Sequence, residues 1–136
     1  MAYEDGVAPK SETEGSSTRS RGRRQEQRAS EFLQERGLEL LAQNVEVAGG
    51  ELDLVFVDPH ESSRTIVFVE VRSRKDDLRG HPIETISRAK RRHLIRAATG
   101  WLVGHALWEQ VAVRFDVITI VAERVEWWRD AFDAGS

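Results

Sequence analysis

Gly49-Gly50-Glu51-Leu52-Asp53-Leu54-Val55-Phe56-Val57 and, one short polar turn later, Thr65-Ile66-Val67-Phe68-Val69-Glu70-Val71-Arg72-Ser73-Arg74 decide how this chain reads. Each stretch is rich in Val, Phe, Leu or Ile and bounded by turn residues, the pattern of neighbouring strands. Residues two apart on a strand share a face. Glu51 and Asp53 are therefore expected on one side of their strand, and Glu70 and Arg72 on one side of theirs. The second strand is apolar on both faces, with Val67, Val69 and Val71 against Ile66 and Phe68. That is the composition of a central strand covered on both sides. Carboxylates in such strands are costly to bury unless something pairs them. A shared divalent cation would do so, and Arg72 offers a second partner. The alternative is a structural ion cluster of Glu51, Asp53, Glu70 and Arg72.

Upstream, Leu40, Leu41, Val45 and Val47 mark a first strand within Leu38 to Ala48, and Gly49-Gly50 is a hairpin-type turn into the next. Before it, Arg21 to Arg36 reads as a helix with Ala29, Phe32 and Leu33 at helical spacing and Gly37 as its C-cap. Arg21, Arg23, Arg24 and Arg28 make its start basic, against the helix dipole, which suggests an external anion. Glu26 either faces the sheet or pairs with a neighbouring arginine in solvent. Residues 1–20 are polar and without periodicity, a disordered tail ahead of one domain over 21–136.

Downstream, Lys75 to His81 reads as a charged loop, and Pro82 suits the first turn of a helix running to about Val103. Ile83, Ile86, Leu94, Ala97, Ala98, Trp101 and Leu102 form its apolar stripe. Arg88, Arg92 and Arg96 recur every four residues, a stripe suited to a phosphate backbone, with Lys90 and His93 nearer the apolar border. Val111 to Val121 is a further strand, apolar on both faces. Glu123 to Phe132 is amphipathic and reads equally as strand or helix. Its Trp127, Trp128 and Phe132 suit core or homodimer contacts better than base stacking.

The chain of 136 residues has 40% hydrophobic and 32% charged residues, the composition of an ordinary soluble domain. It holds no run of about eighteen apolar residues, so no membrane span is expected. The first twenty residues contain no apolar signal segment. There is no cysteine, which excludes disulfides and thiolate-bound metals and makes the cytoplasm the default expectation. A net charge of -3 hides an uneven distribution. Arg72 to Arg96 carries nine Arg or Lys against three acids, while Asp116 onward carries five acids against two arginines. A basic middle in an acidic chain suits nucleic acid, the alternative being a solvated helix face.

The order helix–strand–strand–strand–helix–strand is that of a mixed α/β domain. Asp53 and Glu70, on adjacent strands, can converge on Mg²⁺ or Mn²⁺, hard cations that take oxygen ligands. Such an ion activates water and neutralises charge on a phosphodiester, and Arg72 would add to that stabilisation. Glu51 is a further candidate ligand.

With these elements in view, the chain resembles the YraN-like uncharacterised protein family, number 0102 in the uncharacterised series. The resemblance covers Arg21 to Phe132. It rests on the Glu26 helix with Ala29 and Phe32-Leu33, Ala42-Gln43-Asn44, Gly50 to Leu54, Phe68 to Arg72, Lys90, Arg114-Phe115-Asp116-Val117 and Asp130-Ala131-Phe132. That family is similar to restriction-endonuclease-like nucleases, Holliday-junction resolvases in particular. The resemblance implies a restriction-endonuclease-like α/β core, a mixed central sheet of about four to five strands flanked by helices. It matches Glu26 to the helical acid, Asp53 and Glu70 to the strand acids, and Arg72 to the strand lysine. Two positions depart from the pattern: Gln25 stands where Gly often precedes the helical Glu, and Arg72, always protonated, cannot act as a general base.

The expected activity is metal-dependent endonucleolytic cleavage of DNA, selective for branched or damaged structures. Asp53 and Glu70 would hold Mg²⁺ or Mn²⁺, Glu26 would assist, and Arg72 would face the phosphate. Arg74, Arg88, Lys90, Arg92 and Arg96 would hold the backbone. Two alternatives stand beside it. One is a nucleic-acid-binding module that keeps the nuclease fold without its chemistry. The other is a protein-interaction domain working through Trp127, Trp128 and Phe132.

Overall fold

The chain is described from a computed structural model that covers residues 17–47, 50–60, 64–74 and 86–133. Its logic starts in the strand Thr65–Arg74, where Ile66 and Phe68 enter one apolar cluster and Val67 and Val69 enter another. A strand buried on both faces needs a cover on each. In chain order the elements are α1 (Ser17–Glu35), β1 (Glu39–Val47), β2 (Gly50–Asp58), β3 (Thr65–Arg74), α2 (Arg88–Gly104), β4 (Ala112–Val121) and β5 (Arg124–Phe132). The strands form one sheet in the order β1-β2-β3-β4-β5. β3 and β4 pair in parallel, and the other neighbours are antiparallel. A parallel pair needs a long crossover, which is why α2 lies between β3 and β4.

Leu94, Ala97, Ala98, Trp101 and Leu102 of α2 pack on Leu52, Val55, Ile66, Phe68 and Phe115. On the opposite face, Ala29 and Leu33 of α1 cover Leu54, Phe56, Val67, Val69, Ile118 and Ile120. Burying one such Leu, Ile or Phe contributes about 1.5–3 kcal/mol, so these two layers hold the sheet between the helices. The expected mixed α/β architecture, with five strands, is present and agrees with a restriction-endonuclease-like core.

Three boundaries differ from those read in the sequence. α1 begins at Ser17, so residues 17–20 belong to the helix and not to the tail; residues 1–16 lie outside the described part. α2 begins at Arg88 and not near Pro82, because Ser87 is its N-cap and its hydroxyl accepts the Lys90 N–H at 3.0 Å. Ile86 is buried just ahead of that cap, while the loop from Lys75 and the Pro82 segment lie outside the described residues. The segment that fits either strand or helix is β5, an edge strand antiparallel to β4.

The aromatic side chains of β5 point to internal partners. Phe132 stacks on Phe115 at 4.9 Å, and Trp127 meets Phe32 edge-on at 6.4 Å. The two indole N–H groups donate to Asp116 and Thr119. Core packing therefore accounts for this segment. Nearby, buried Arg114 donates to Asp116 through Nε at 2.9 Å and Nη2 at 3.0 Å, and through Nη1 to Asp58 at 2.9 Å. Asp116 also accepts the Asp130 N–H at 2.9 Å. The Arg114–Val117 and Asp130–Phe132 segments thus lock β4, β5 and the end of β2 together.

Candidate functional site

The β2–β3 ladder runs from Asp58↔Thr65 to Leu54↔Val69 and stops there. Where it ends, the Asp53 carboxylate reaches across the seam and its Oδ2 accepts the Val71 N–H at 3.0 Å. A side chain thereby replaces a ladder bond. The neighbouring β1–β2 pairs, Gln43↔Leu54 and Val45↔Leu52, set Asn44 opposite Asp53. At this rung the pleat breaks on both strands. Ala42 and Val45 pack into the same cluster although three residues apart, and so do Leu52 and Val55. Asn44 has φ 54, in the left-handed region that Asn tolerates better than most residues. The two-residue alternation expected of Glu51 and Asp53 fails here for that reason. Asp53 is half-buried at the seam, whereas Glu51 stays exposed.

Glu70 is 6% exposed on the α2 side of β3 and close enough to Asp53 for the two carboxyls to share a proton. Its Oε2 lies 3.6 Å from Arg72 Nη1 and 3.8 Å from Lys90 Nζ. Lys90 comes from the first turn of α2, the turn that Ser87 caps. Leu52, Phe68, Leu94 and Phe115 help to wall a cavity of about 10 Å³ that Asp53 and Glu70 also line. These walls explain the electrostatics. Burial, followed by the negative charge of Asp53, pushes Glu70 up to about 8. Burial raises Asp53 too, against the pull of the Val71 N–H, Lys90 and Arg72. Glu26, on α1, is pushed up to about 7 by burial and then by the charge of Asp53, with Asn44 and Arg23 opposing. Its Oε1 is buried without a hydrogen-bond partner, and so is Gln25 Oε1.

Asp53 and Glu70 are raised together, and a cation beside them would favour the ionised form of both. The arrangement fits a divalent ion held by two carboxylates, Asp53 and Glu70, with water filling the remaining positions as Mg²⁺ prefers. Among the described residues no three acidic or histidine side chains gather as a metal group, so Glu26 and Glu51 flank that pair as charges.

Of the four candidate catalytic residues, the structure places Asp53, Glu70 and Arg72 side by side, with Glu26 on α1 within reach of the charge of Asp53. Lys90, which the sequence reading counts among the backbone-binding residues, joins them with its Nζ 3.8 Å from Glu70. Arg88, Arg92 and Arg96 are exposed along α2. The side chain of Arg74, at the end of β3, lies outside the described residues. Asn44 is the residue the sequence reading missed as part of the site. Its place opposite Asp53 and its hydrogen bond to Glu26 reveal it.

A profile of the Uncharacterised protein family UPF0102 matches residues 25–120. A UPF0102 protein of Burkholderia ambifaria is 45% identical over 86% of this chain and 79% of its own length. One from Photorhabdus laumondii is 42% identical over 82% of this chain and 86% of its own. A third, from Vibrio cholerae, is 40% identical over 87% of this chain and 96% of its own.

Proposed function

The chain belongs to the uncharacterised protein family UPF0102, and on that premise we propose that it is a metal-dependent endonuclease of DNA, selective for branched or damaged structures. The observation that carries this reading is the seam at Asp53, where three pKa-raised carboxyls meet two cations at the edge of an apolar floor. Perturbed acids gathered at one place are a mark of functional sites.

Asp53 and Glu70 would hold Mg²⁺ or Mn²⁺. When bound, that ion would supply water activation and neutralise charge on the phosphodiester. Arg72 and Lys90, beside Glu70, would face the phosphate and stabilise the charge that builds there. Glu26 would orient water from the α1 side. Arg72 stays protonated throughout and acts as a cation only. Arg88, Arg92 and Arg96 would hold the backbone, making affinity fall steeply with salt.

Cleavage of branched and linear DNA at low salt with Mn²⁺, by wild type and by Asp53→Asn, tests the reading. Metal-dependent cutting by wild type alone supports it. Equal cutting by both proteins removes Asp53 from the site.

A second reading, a nucleic-acid-binding module without chemistry, draws on a different observation. Glu70 is already paired by Arg72 and Lys90, and Asp53 by the Val71 N–H, so the seam is partly satisfied without metal. Under this reading Mg²⁺ or Mn²⁺ leaves the melting temperature unchanged, whereas a ligand that binds the folded state must raise it.

A further inference from the structure

Glu26 lies three residues before Ala29 and seven before Leu33, two α1 side chains that are 0% exposed against the sheet. Residues at that spacing share one helix face, so Glu26 belongs to the face that covers the sheet. Its two oxygens are treated differently there. Oε1 is buried without a partner, and the hydrogen bond between Glu26 and Asn44 therefore falls on Oε2. That bond favours the ionised carboxyl, so the Asn44 amide N–H donates and Oε2 accepts. A buried oxygen left bare beside one that is anchored calls for an explanation outside the packing of the fold, such as a water, an ion or a reacting group.

The donor reaches Glu26 through an unusual backbone. With plain alternation along β1, Asn44 would share the face of Ala42, which packs into the α2 cluster and away from α1. The left-handed conformation at Asn44, φ 54, resets the pleat. Val45 takes the α2 face in its place, and the Asn44 amide goes to α1 instead. Opposite it on β2, Asp53 makes the matching departure, and its Oδ2 accepts the Val71 N–H at 3.0 Å. Two residues facing each other across the ladder thus reach in different directions, one to α1 and one to β3. Backbone strain of this kind persists where the surroundings enforce it, and it gathers at functional sites.

Resting on the metal-dependent reading of the seam, we infer that Asn44 is a positioning residue: its left-handed backbone carries the amide to Oε2 of Glu26, and this fixes the bare Oε1 as the oxygen that orients water beside Asp53 and Glu70. The residue type follows from two demands at once. Glycine, asparagine and aspartate tolerate a left-handed backbone better than other residues. Of these, glycine has no side chain to hold Glu26, and aspartate presents an acceptor to a carboxylate that needs a donor. Asparagine alone of the three meets both.

The test compares full-length wild type with Asn44→Gly, Asn44→Ala, Glu26→Ala and Asn44→Gly/Glu26→Ala. Urea denaturation in EDTA reads the hold on Glu26. The midpoint shift caused by Asn44→Gly should differ between the wild-type and Glu26→Ala backgrounds, and equal shifts in both would mean that the two side chains do not interact. Mn²⁺-dependent cleavage of branched DNA reads the positioning. Asn44→Gly should lower kcat by about tenfold or more and leave KM within about twofold, since the geometry of the reacting groups is lost and not the grip on DNA. In the Glu26→Ala background the same change should cost nothing further. Asn44→Ala should be less stable than Asn44→Gly, because a left-handed φ strains alanine, yet should cut at the same kcat, because both lack the amide. Wild-type kcat in Asn44→Gly, a loss that multiplies with that of Glu26→Ala, or uncoupled midpoints would overturn the inference. A wild type that does not cut rejects the nuclease instead. Coupled midpoints then leave Asn44 as the residue that positions Glu26, and uncoupled midpoints reject that as well.

Discussion

Glu70 is the residue on which the energetics of the site converge. Its pKa lies at about 8 in the fold against an ordinary 4.5, so over that interval the folded chain holds a proton that the unfolded chain has lost. Stability therefore falls as pH rises from about 4.5 to about 8 and levels off above. Glu26, at about 7, adds to the same slope. Asp58 does not interfere: its pKa is lowered below the ordinary 3.8, so its contribution is complete above that value and is lost only as pH falls further. Urea denaturation in EDTA from acid to mildly alkaline pH should show the decline, and Glu70→Gln should flatten it. Mn²⁺ should restore stability at alkaline pH in wild type but not in Glu70→Gln. A wild-type stability that climbs through the interval would refute the assignment. Asp53 and Glu70 were legible in the sequence because a charge amid Val and Phe contradicts its surroundings. Asn44 was not, since its backbone twist and its place opposite Asp53 depend on strand register, which one strand's composition does not encode.

Among the elements, α2 shows how a local signal can be outranked. Pro82 fits the first turn of a helix, yet the helix starts at Arg88, where Ser87 satisfies a backbone N–H that would otherwise lack a partner. The same cap fixes Lys90 beside Glu70. Ser87→Ala should cost about 1 kcal/mol in stability, measured by denaturation, and should weaken Mn²⁺-dependent cutting if Lys90 is needed there. Undiminished cutting would separate Lys90 from the chemistry. β3 and β4 were readable because strands buried on both faces carry apolar residues on both. β5 was not, because the adjacent Trp127-Trp128 and Arg129-Asp130 break the two-residue alternation of a strand and leave either period open until its pairing with β4 is known. α1 was placed by its apolar stripe. Its early start escaped because residues 17–20 carry no apolar side chain.

At the scale of the whole molecule, two buried charge groups sit on one sheet. Beside the carboxylate seam stands a second buried charge group of Asp58, Arg114 and Asp116, which are 1%, 9% and 0% exposed; Asp116 also lines the cavity that Asp53 and Glu70 share. Removing one member of a buried, mutually bonded ion group leaves the others uncompensated, at a cost of about 3–5 kcal/mol. Arg114→Ala should therefore lower the melting temperature sharply, with any residual folded protein keeping its Mn²⁺ response. Loss of that response in a well-folded Arg114→Ala protein would place this charge group in the site. The Arg114–Val117 and Asp130–Phe132 segments, which carry part of the family resemblance, thus have an architectural role in joining β2, β4 and β5.

The bond from the Val71 N–H to Asp53 bears on how inheritance at this position is to be read. An acid that also stitches two strands is under selection twice. A lineage that had abandoned every reaction would still favour an oxygen acceptor at residue 53, because without it the seam beside Val71 comes apart. Persistence of Asp at that position is consequently no witness to catalysis, and its replacement by Asn in a descendant, which spares the stitch while discarding the charge, would be the informative genetic event.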